Sequence, residues 1–184
     1  MAPPANLGYQ FLEASGVRGD EAASVKQVCH RFDGWVMRHI GATRRSWLTR
    51  VLVPYTIAGT IGLPWVLAGA AVDQAQRVAV AAGIAALLAN TVKYLARRDR
   101  PDHLPLLVRP LRSSSFPSGH TASATAAMCA LLLVAPGLAP LWVSMAVAMA
   151  VSRIYVGVHY PTDVLAGAGL GVLVAAVPLL IAAA

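Results

Sequence analysis

Three short segments of this chain carry residues whose types and spacing could do chemistry. Lys93 is followed by Arg100-Pro101, then comes Pro117-Ser118-Gly119-His120, and Ser152-Arg153 leads through His159 to Asp163. Three cations, a Ser-Gly turn ahead of an apolar run, and two His with one Asp make a consistent set. They are what a site needs to hold a phosphate and break one of its ester bonds by nucleophilic attack.

Each segment has its own physical reading. Lys93 and Arg100 flank a run, Arg97, Arg98 and Arg100, that leaves an apolar stretch, where basic residues also serve to snorkel toward headgroups. Ser118 and Gly119 stand where a helix starts, and the first N–H groups of a helix have no partner within it, so they form an anion site. His120 at that start could cap the helix or protonate a leaving oxygen. Asp163 lies four residues after His159, a spacing that lets a carboxylate accept from one imidazole nitrogen and leave the other free to attack phosphorus. Pro161 between them indicates a turn entering a helix. Asp163 could instead serve as an acidic residue at a helix N-terminus, with His159 an interfacial residue.

The elements that must position these residues are membrane helices. The chain has 184 residues, 57% apolar and only 12% charged, with a mean hydropathy of +0.61. A soluble domain carries about 25% charged residues, and 18 or more apolar residues in a row read as a bilayer span. Five spans are expected: about Thr49 to Ala71, Gln76 to Val92, Thr121 to Val134, Leu138 to Val151 and Val164 to Ala183. The third and fourth are short against the roughly 20 residues a bilayer needs, so each borrows motif residues at its ends. Gly167, Gly169 and Gly171 are small residues of the kind that let helix backbones approach closely in lipid. Residues 1–19, with Pro3, Pro4, Gly8 and Gly16, read as a flexible tail, and no signal-peptide pattern is present.

Residues 20–45 read as an amphipathic helix. Val25, Val28, Phe32, Trp35, Val36 and Ile40 recur at three- and four-residue spacing, with Lys26, Arg31, Arg38 and His39 elsewhere around it. It can lie in the interface plane with Trp35 at headgroup level, or pack its apolar stripe on the bundle. In the first case, deleting residues 20–41 should weaken turnover of a membrane-presented substrate more than that of a soluble ester. The fold class is therefore an all-α, polytopic transmembrane bundle with an N-terminal amphipathic interfacial helix, the catalytic part covering residues 46–184.

The net charge of +7 fits anionic headgroups and a phosphorylated substrate, and nothing resembles a nucleic-acid module. Cys29 and Cys129 suggest neither a disulfide framework nor a zinc site. With five spans, all three motifs share one face of the membrane, and 14 of the 15 Lys and Arg residues fall on it, Arg77 being the exception. Setting aside Lys93, Arg100 and Arg153 for chemistry leaves eleven against one. The positive-inside rule then puts the active face in the cytoplasm of a multi-pass plasma-membrane protein.

Together the segments resemble the type 2 phosphatidic acid phosphatase family, whose signature is K-x6-R-P, P-S-G-H and S-R-x5-H-x3-D. Every signature position is met, in order, across residues 93–163, whereas residues 1–48 lie outside the resemblance. Larger members have six spans, with the amphipathic segment here standing in for the first. The resemblance implies a lipid phosphatase in which His159 is the nucleophile that forms a phosphohistidine, Asp163 orients it, and His120 is the general acid. Lys93, Arg100, Arg153, Ser118 and the Gly119 N–H would hold the phosphoryl oxygens. No cofactor and no metal are implied. A zinc site from His120, His159 and Asp163 is the rival, against which the three neighbouring cations count. Small family members act on decaprenylphosphoryl-5-phosphoribose, and this short, Ala-rich chain is similar to that group. Polyprenyl diphosphate comes second as substrate, then phosphatidylglycerol phosphate or phosphatidic acid. A lipid-binding or transport protein, and a vanadium haloperoxidase using the same anion site, are the remaining alternatives; the first has no need of His120, His159 and Asp163, and the second is a soluble enzyme.

Overall fold

A computed structural model describes residues 19–102, 104–110 and 113–183, with side chains at residue 21 and from residue 23 through 177; the expected 1–19 tail lies almost entirely outside them. The described residues form seven α-helices and one short 3-10 turn. These are α1 (Gly19–Ala42), α2 (Ser46–Thr60), α3 (Leu63–Ala70), α4 (Ala75–Ala96), α5 (Gly119–Val134), α6 (Ala139–Tyr155) and α7 (Pro161–Ala183), with the 3-10 turn at Pro136–Leu138. The protein is an all-helical membrane protein, and each of the five apolar stretches is helical.

The first stretch departs from the expectation of a single span. It is broken into α2 and α3, which meet at 80°. Hydropathy runs unbroken across it, but Gly62 at the start of α3 has φ of 70°, a left-handed conformation that glycine takes without a Cβ penalty. Pro64 follows in the first turn, where its missing N–H costs nothing and its ring blocks continuation of the preceding helix. Counted by length and hydropathy, α4 and Pro136–Tyr155 can each cross a bilayer, and the α2–α3 pair makes a third if it is one span. Helix α5 and residues 161–177 of α7 are apolar but shorter. The motifs do occupy helix ends: Lys93 lies in the last turn of α4, Gly119 and His120 open α5, Arg153 closes α6 and Asp163 sits in the first turn of α7.

Helix α5 is the centre of the bundle. Thr121, Ala122, Ala124, Thr125, Ala126, Ala127, Ala130 and Leu131 are all buried, which leaves it no solvent stripe. Its alanines admit α4 through Ala85 and Ala89 on one side. On another side Trp65, Val78, Trp142 and Met149 complete the main core. Helix α7 approaches through glycines. A Cβ on Gly167 would run into the Ser118 carbonyl oxygen, and one on Gly171 would lie 2.5 Å from the Ala122 carbonyl oxygen, whereas Gly169 faces open space. The spacing of four puts Gly167 and Gly171 on one face, the small-residue seam by which helices pack closely in lipid. Outward-facing Ile57, Leu67, Val80, Leu87, Val147 and Leu173 are exposed, as a bilayer solvent allows.

Candidate active site

All eight residues singled out by type and spacing come to one end of the bundle. Helix α4 stops at Arg97, whose left-handed backbone returns its N–H to the Lys93 carbonyl and leaves Lys93 buried in the final turn. The chain then runs along the end of the bundle. Arg100 Nη1 donates to the Val158 carbonyl at 2.8 Å, which ties this segment to the turn that bears His159. Ser114 and Ser115 bind the backbone of Arg98 and Asp99, folding the incoming side of the loop against the outgoing side.

Ser118 is the N-cap of α5. Its Oγ accepts from the Thr121 N–H at 3.4 Å and from the Thr121 hydroxyl at 2.9 Å, and its own N–H donates to the Asp163 carbonyl at 2.9 Å. The Ser118 N–H is therefore used to join two motif segments, and any contribution to an anion comes from its hydroxyl proton. Gly119 N–H lies in the first helical turn, where no intrahelical partner exists. Two residues into the turn, His120 Nε2 shares a hydrogen bond of 3.1 Å with Thr60 Oγ1, at the end of α2. Arg153, buried in the last turn of α6, donates from Nη1 to Thr56 Oγ1 of the same helix α2.

His159 and Asp163 are 2% and 0% exposed. Tyr160 precedes Pro161, the first residue of α7, and Asp163 Oδ2 reaches back to accept the Tyr160 N–H at 2.8 Å, as acids in a capping box do. The same oxygen stands 3.7 Å from His159 Nδ1, an ion-pair distance beyond hydrogen-bond range. His159 Nδ1 is buried and has no hydrogen-bond partner. Asp163 thus combines both readings of its position, helix-terminal acid and neighbour of the imidazole.

Charge gathers tightly here. Lys93 lies within electrostatic reach of Arg100, Arg153 and Asp163, and His120 within reach of Arg153, His159, Lys93 and Arg100. Burial lowers the His159 imidazole from its ordinary range to about 4, assisted by Arg153 and Lys93 and opposed by Asp163. His159 is therefore neutral near pH 7, as a nucleophile must be. Beside Lys93 and Arg100 opens a cavity of about 740 Å3, lined also by Asn90, Tyr94, Arg97 and Ser114. Among the described residues, no three His, Cys, Asp or Glu side chains are grouped to hold a metal ion.

Several residues of the site are not marked by motif. Thr56 and Thr60 hold Arg153 and His120, and both read locally as ordinary members of an apolar helix. Arg98 belongs to the basic run after α4, but its partners are Asp33, Thr162 and Asp163. Arg44 clamps the end of α6, donating to the Tyr155 carbonyl through Nε and Nη2 and to the Pro105 carbonyl through Nη1.

The chain is similar to known proteins. Residues 74–183 match the family model described as the PAP2 superfamily. The decaprenylphosphoryl-5-phosphoribose phosphatase of Mycobacterium tuberculosis is 39% identical over 148 residues, covering 77% of this chain and 74% of that protein. The lipid A 1-phosphatase of Rhizobium etli is 36% identical over 93 residues, 46% of this chain and 40% of its own. Among solved structures, the transmembrane PAP2-type phosphatidylglycerolphosphate phosphatase of Bacillus subtilis superposes with a TM-score of 0.66 at 29% identity, covering 96% of this chain and 94% of that one.

Proposed function

From the premise that this chain belongs to the PAP2 superfamily and is one of its membrane lipid phosphatases, we propose that it removes the terminal phosphate of a polyprenyl-linked sugar phosphate through a phosphohistidine on His159. The observation that carries the site assignment is the convergence of Lys93, Arg100 and Arg153 around His120 and His159 at one end of the bundle. In this reading the neutral His159 uses its Nε2 lone pair to attack phosphorus while Nδ1–H faces Asp163. The bond from phosphorus to the lipid-side oxygen breaks, and His120 supplies the proton that oxygen takes. The phosphorylated imidazole carries a positive charge, which the Asp163 carboxylate stabilises. Water then attacks phosphorus, gives its proton to His120, and releases inorganic phosphate with His159 restored. Throughout, the three cations, the Ser118 hydroxyl and the Gly119 N–H offset the charge on the phosphoryl oxygens.

The substrate class rests on the 39% identical relative, which is named for decaprenylphosphoryl-5-phosphoribose, and on the cavity beside Lys93 and Arg100. The cavity is lined by two of the three cations but by neither histidine, so it lies to one side of the reacting centre, and its volume is within the few hundred to about 1,000 Å3 of small-molecule sites. We place the active face in the cytoplasm of the plasma membrane, on the strength of the excess of Lys and Arg there. Polyprenyl diphosphate remains the second candidate.

Phosphate release by the purified protein in detergent with EDTA tests this reading. The substrates are a polyprenyl phosphoribose phosphate, a polyprenyl diphosphate and phosphatidic acid, each with wild type and His159→Ala. The expected result is release that survives EDTA, is fastest on the first substrate and vanishes in the variant. Faster turnover of the diphosphate would replace the substrate assignment, and release that survives the substitution would replace the mechanism.

A further inference from the structure

One buried charge lies outside both the matched residues 74–183 and the mechanism above. Asp33, in the middle of α1, is 1% exposed, although Lys26, Arg31 and Arg38 on the same helix are exposed. A carboxylate is costly to bury unless paired and hydrogen-bonded, so its partners indicate what it serves. Its Oδ1 accepts the Thr162 N–H at 3.0 Å, and its Oδ2 accepts the Thr162 hydroxyl and Arg98 Nη2, both at 2.6 Å. The other arm of the guanidinium, Arg98 Nη1, donates to Thr162 Oγ1 at 2.7 Å and to Asp163 Oδ1 at 2.6 Å. The Arg98 plane also lies over the Tyr160 ring, with its central carbon 4.3 Å from the ring centroid.

We propose that Asp33 is a positioning residue for the phosphatase reaction: through Arg98 and Thr162 it fixes the Asp163 carboxylate, and so the orientation of His159. Four facts converge on this. Arg98 is shared between two buried carboxylates, and its fork geometry lets each arm hold one of them. Thr162 is adjacent in sequence to Asp163, so the Asp33 bonds to its N–H and hydroxyl pin the first turn of α7 itself. Asp163 Oδ1 is occupied by Arg98, which leaves Oδ2 as the oxygen that faces His159 Nδ1. Finally, α1 turns Asp33 and Met37 inward while Val25, Val28, Phe32 and Trp35 are exposed. These four apolar residues thus point away from the bundle, and the inward face of α1 brings the Asp33 carboxylate, one turn from buried Met37, to the site.

This placement revises the expectation for removal of α1. Deleting residues 20–41 takes the Asp33 carboxylate away from Arg98, so a soluble phosphate ester should lose turnover as well as a lipid one.

The proposal rests on the Asp163–His159 reading, and its test separates the two. Wild type, His159→Ala, Asp33→Asn, Arg98→Met and the Asp33→Asn/Arg98→Met double variant are purified in detergent, checked for a monodisperse folded state, and assayed on p-nitrophenyl phosphate and phosphatidic acid. Asp33→Asn is expected to lower kcat about 10–100-fold on both substrates with KM within about twofold, the range typical of groups that orient a reacting residue. In the Arg98→Met background, the same substitution should add less than about threefold, because residues acting through one partner are not additive. If Asp33→Asn does not fold, Thr162→Val, which keeps the side-chain shape and removes the shared hydroxyl, carries the same expectation for kcat. Wild-type kcat in a folded variant, a loss confined to KM, or fully multiplicative losses with Arg98→Met would overturn the proposal while leaving His159 chemistry intact. Activity that survives His159→Ala would overturn both.

Discussion

The two histidines of the site are held in opposite ways. His159 is 2% exposed in a turn held on both sides: Arg100 takes the Val158 carbonyl, Asp163 takes the Tyr160 N–H, and Arg98, Thr162 and Asp33 hold Asp163 in turn. His120 is only partly buried and has one side-chain bond, to Thr60, which lies at the break between α2 and α3. Gly59 lies beside it: a Cβ there would run into the end of the Met149 side chain and would come to ordinary contact, 3.4 Å, with His120 Cδ2. The difference matches what each residue must do in the proposed mechanism. A nucleophile works from one fixed geometry, whereas a proton donor to the lipid-side oxygen has to meet a leaving group that enters and departs.

The largest effect that would sharpen this comparison is on leaving-group dependence. His120→Ala should lower kcat/KM for a lipid phosphate by about 10²–10⁴-fold, the usual contribution of a general acid, but far less for p-nitrophenyl phosphate, whose phenolate leaves without a proton. Because kcat/KM reports steps only through formation of the phosphoenzyme, equal losses on both substrates would contradict a donor role. A smaller effect comes from the seam that carries the Ser118 turn. Gly167→Ala should destabilise the protein by about 1–3 kcal/mol, since the backbone carbonyl of Ser118 cannot yield as a side chain can. Gly169→Ala, in open space, should be neutral or slightly stabilising. Thermal unfolding in detergent reads both, and similar losses at the two positions would break the packing argument.

The smallest effect is a matter of pH. Burial, with Arg153 and Lys93 on adjacent helices, brings the His159 imidazole to about 4 despite Asp163. As pH falls from 7 the ring should therefore stay neutral until about 4, whereas an ordinary imidazole is half protonated near pH 6.5. An NMR titration of selectively labelled histidine reads this directly. A His159 midpoint near 6.5 would mean that the ring is more hydrated than its burial implies.

How far the site was legible in the sequence follows from where its contacts run. Lys93 to Arg100, Ser118 to His120 and His159 to Asp163 are spacings within one turn or helix end, so residue type and interval were enough to find them. Asp33 meets Thr162 across 129 residues and Thr56 meets Arg153 across 97, and no local pattern encodes such pairings. The amphipathic period of α1 correctly indicated a helix but not which face turns inward, because a membrane reverses the usual rule that the apolar stripe seeks the core. The α2–α3 break was visible in Gly62-Leu63-Pro64, yet a hydropathy window averages over it.

Trapping the covalent intermediate tests the central claim most directly. Protein mixed with a substrate labelled in its terminal phosphoryl group is quenched within one turnover in alkali, where a phosphoramidate survives, and the labelled peptide is sequenced. Label on His159, absent from His159→Ala and formed with EDTA present, is the result this account predicts. Rapid phosphate release with no label on His159 would mean that water attacks phosphorus directly, and the role given to the buried imidazole would be wrong.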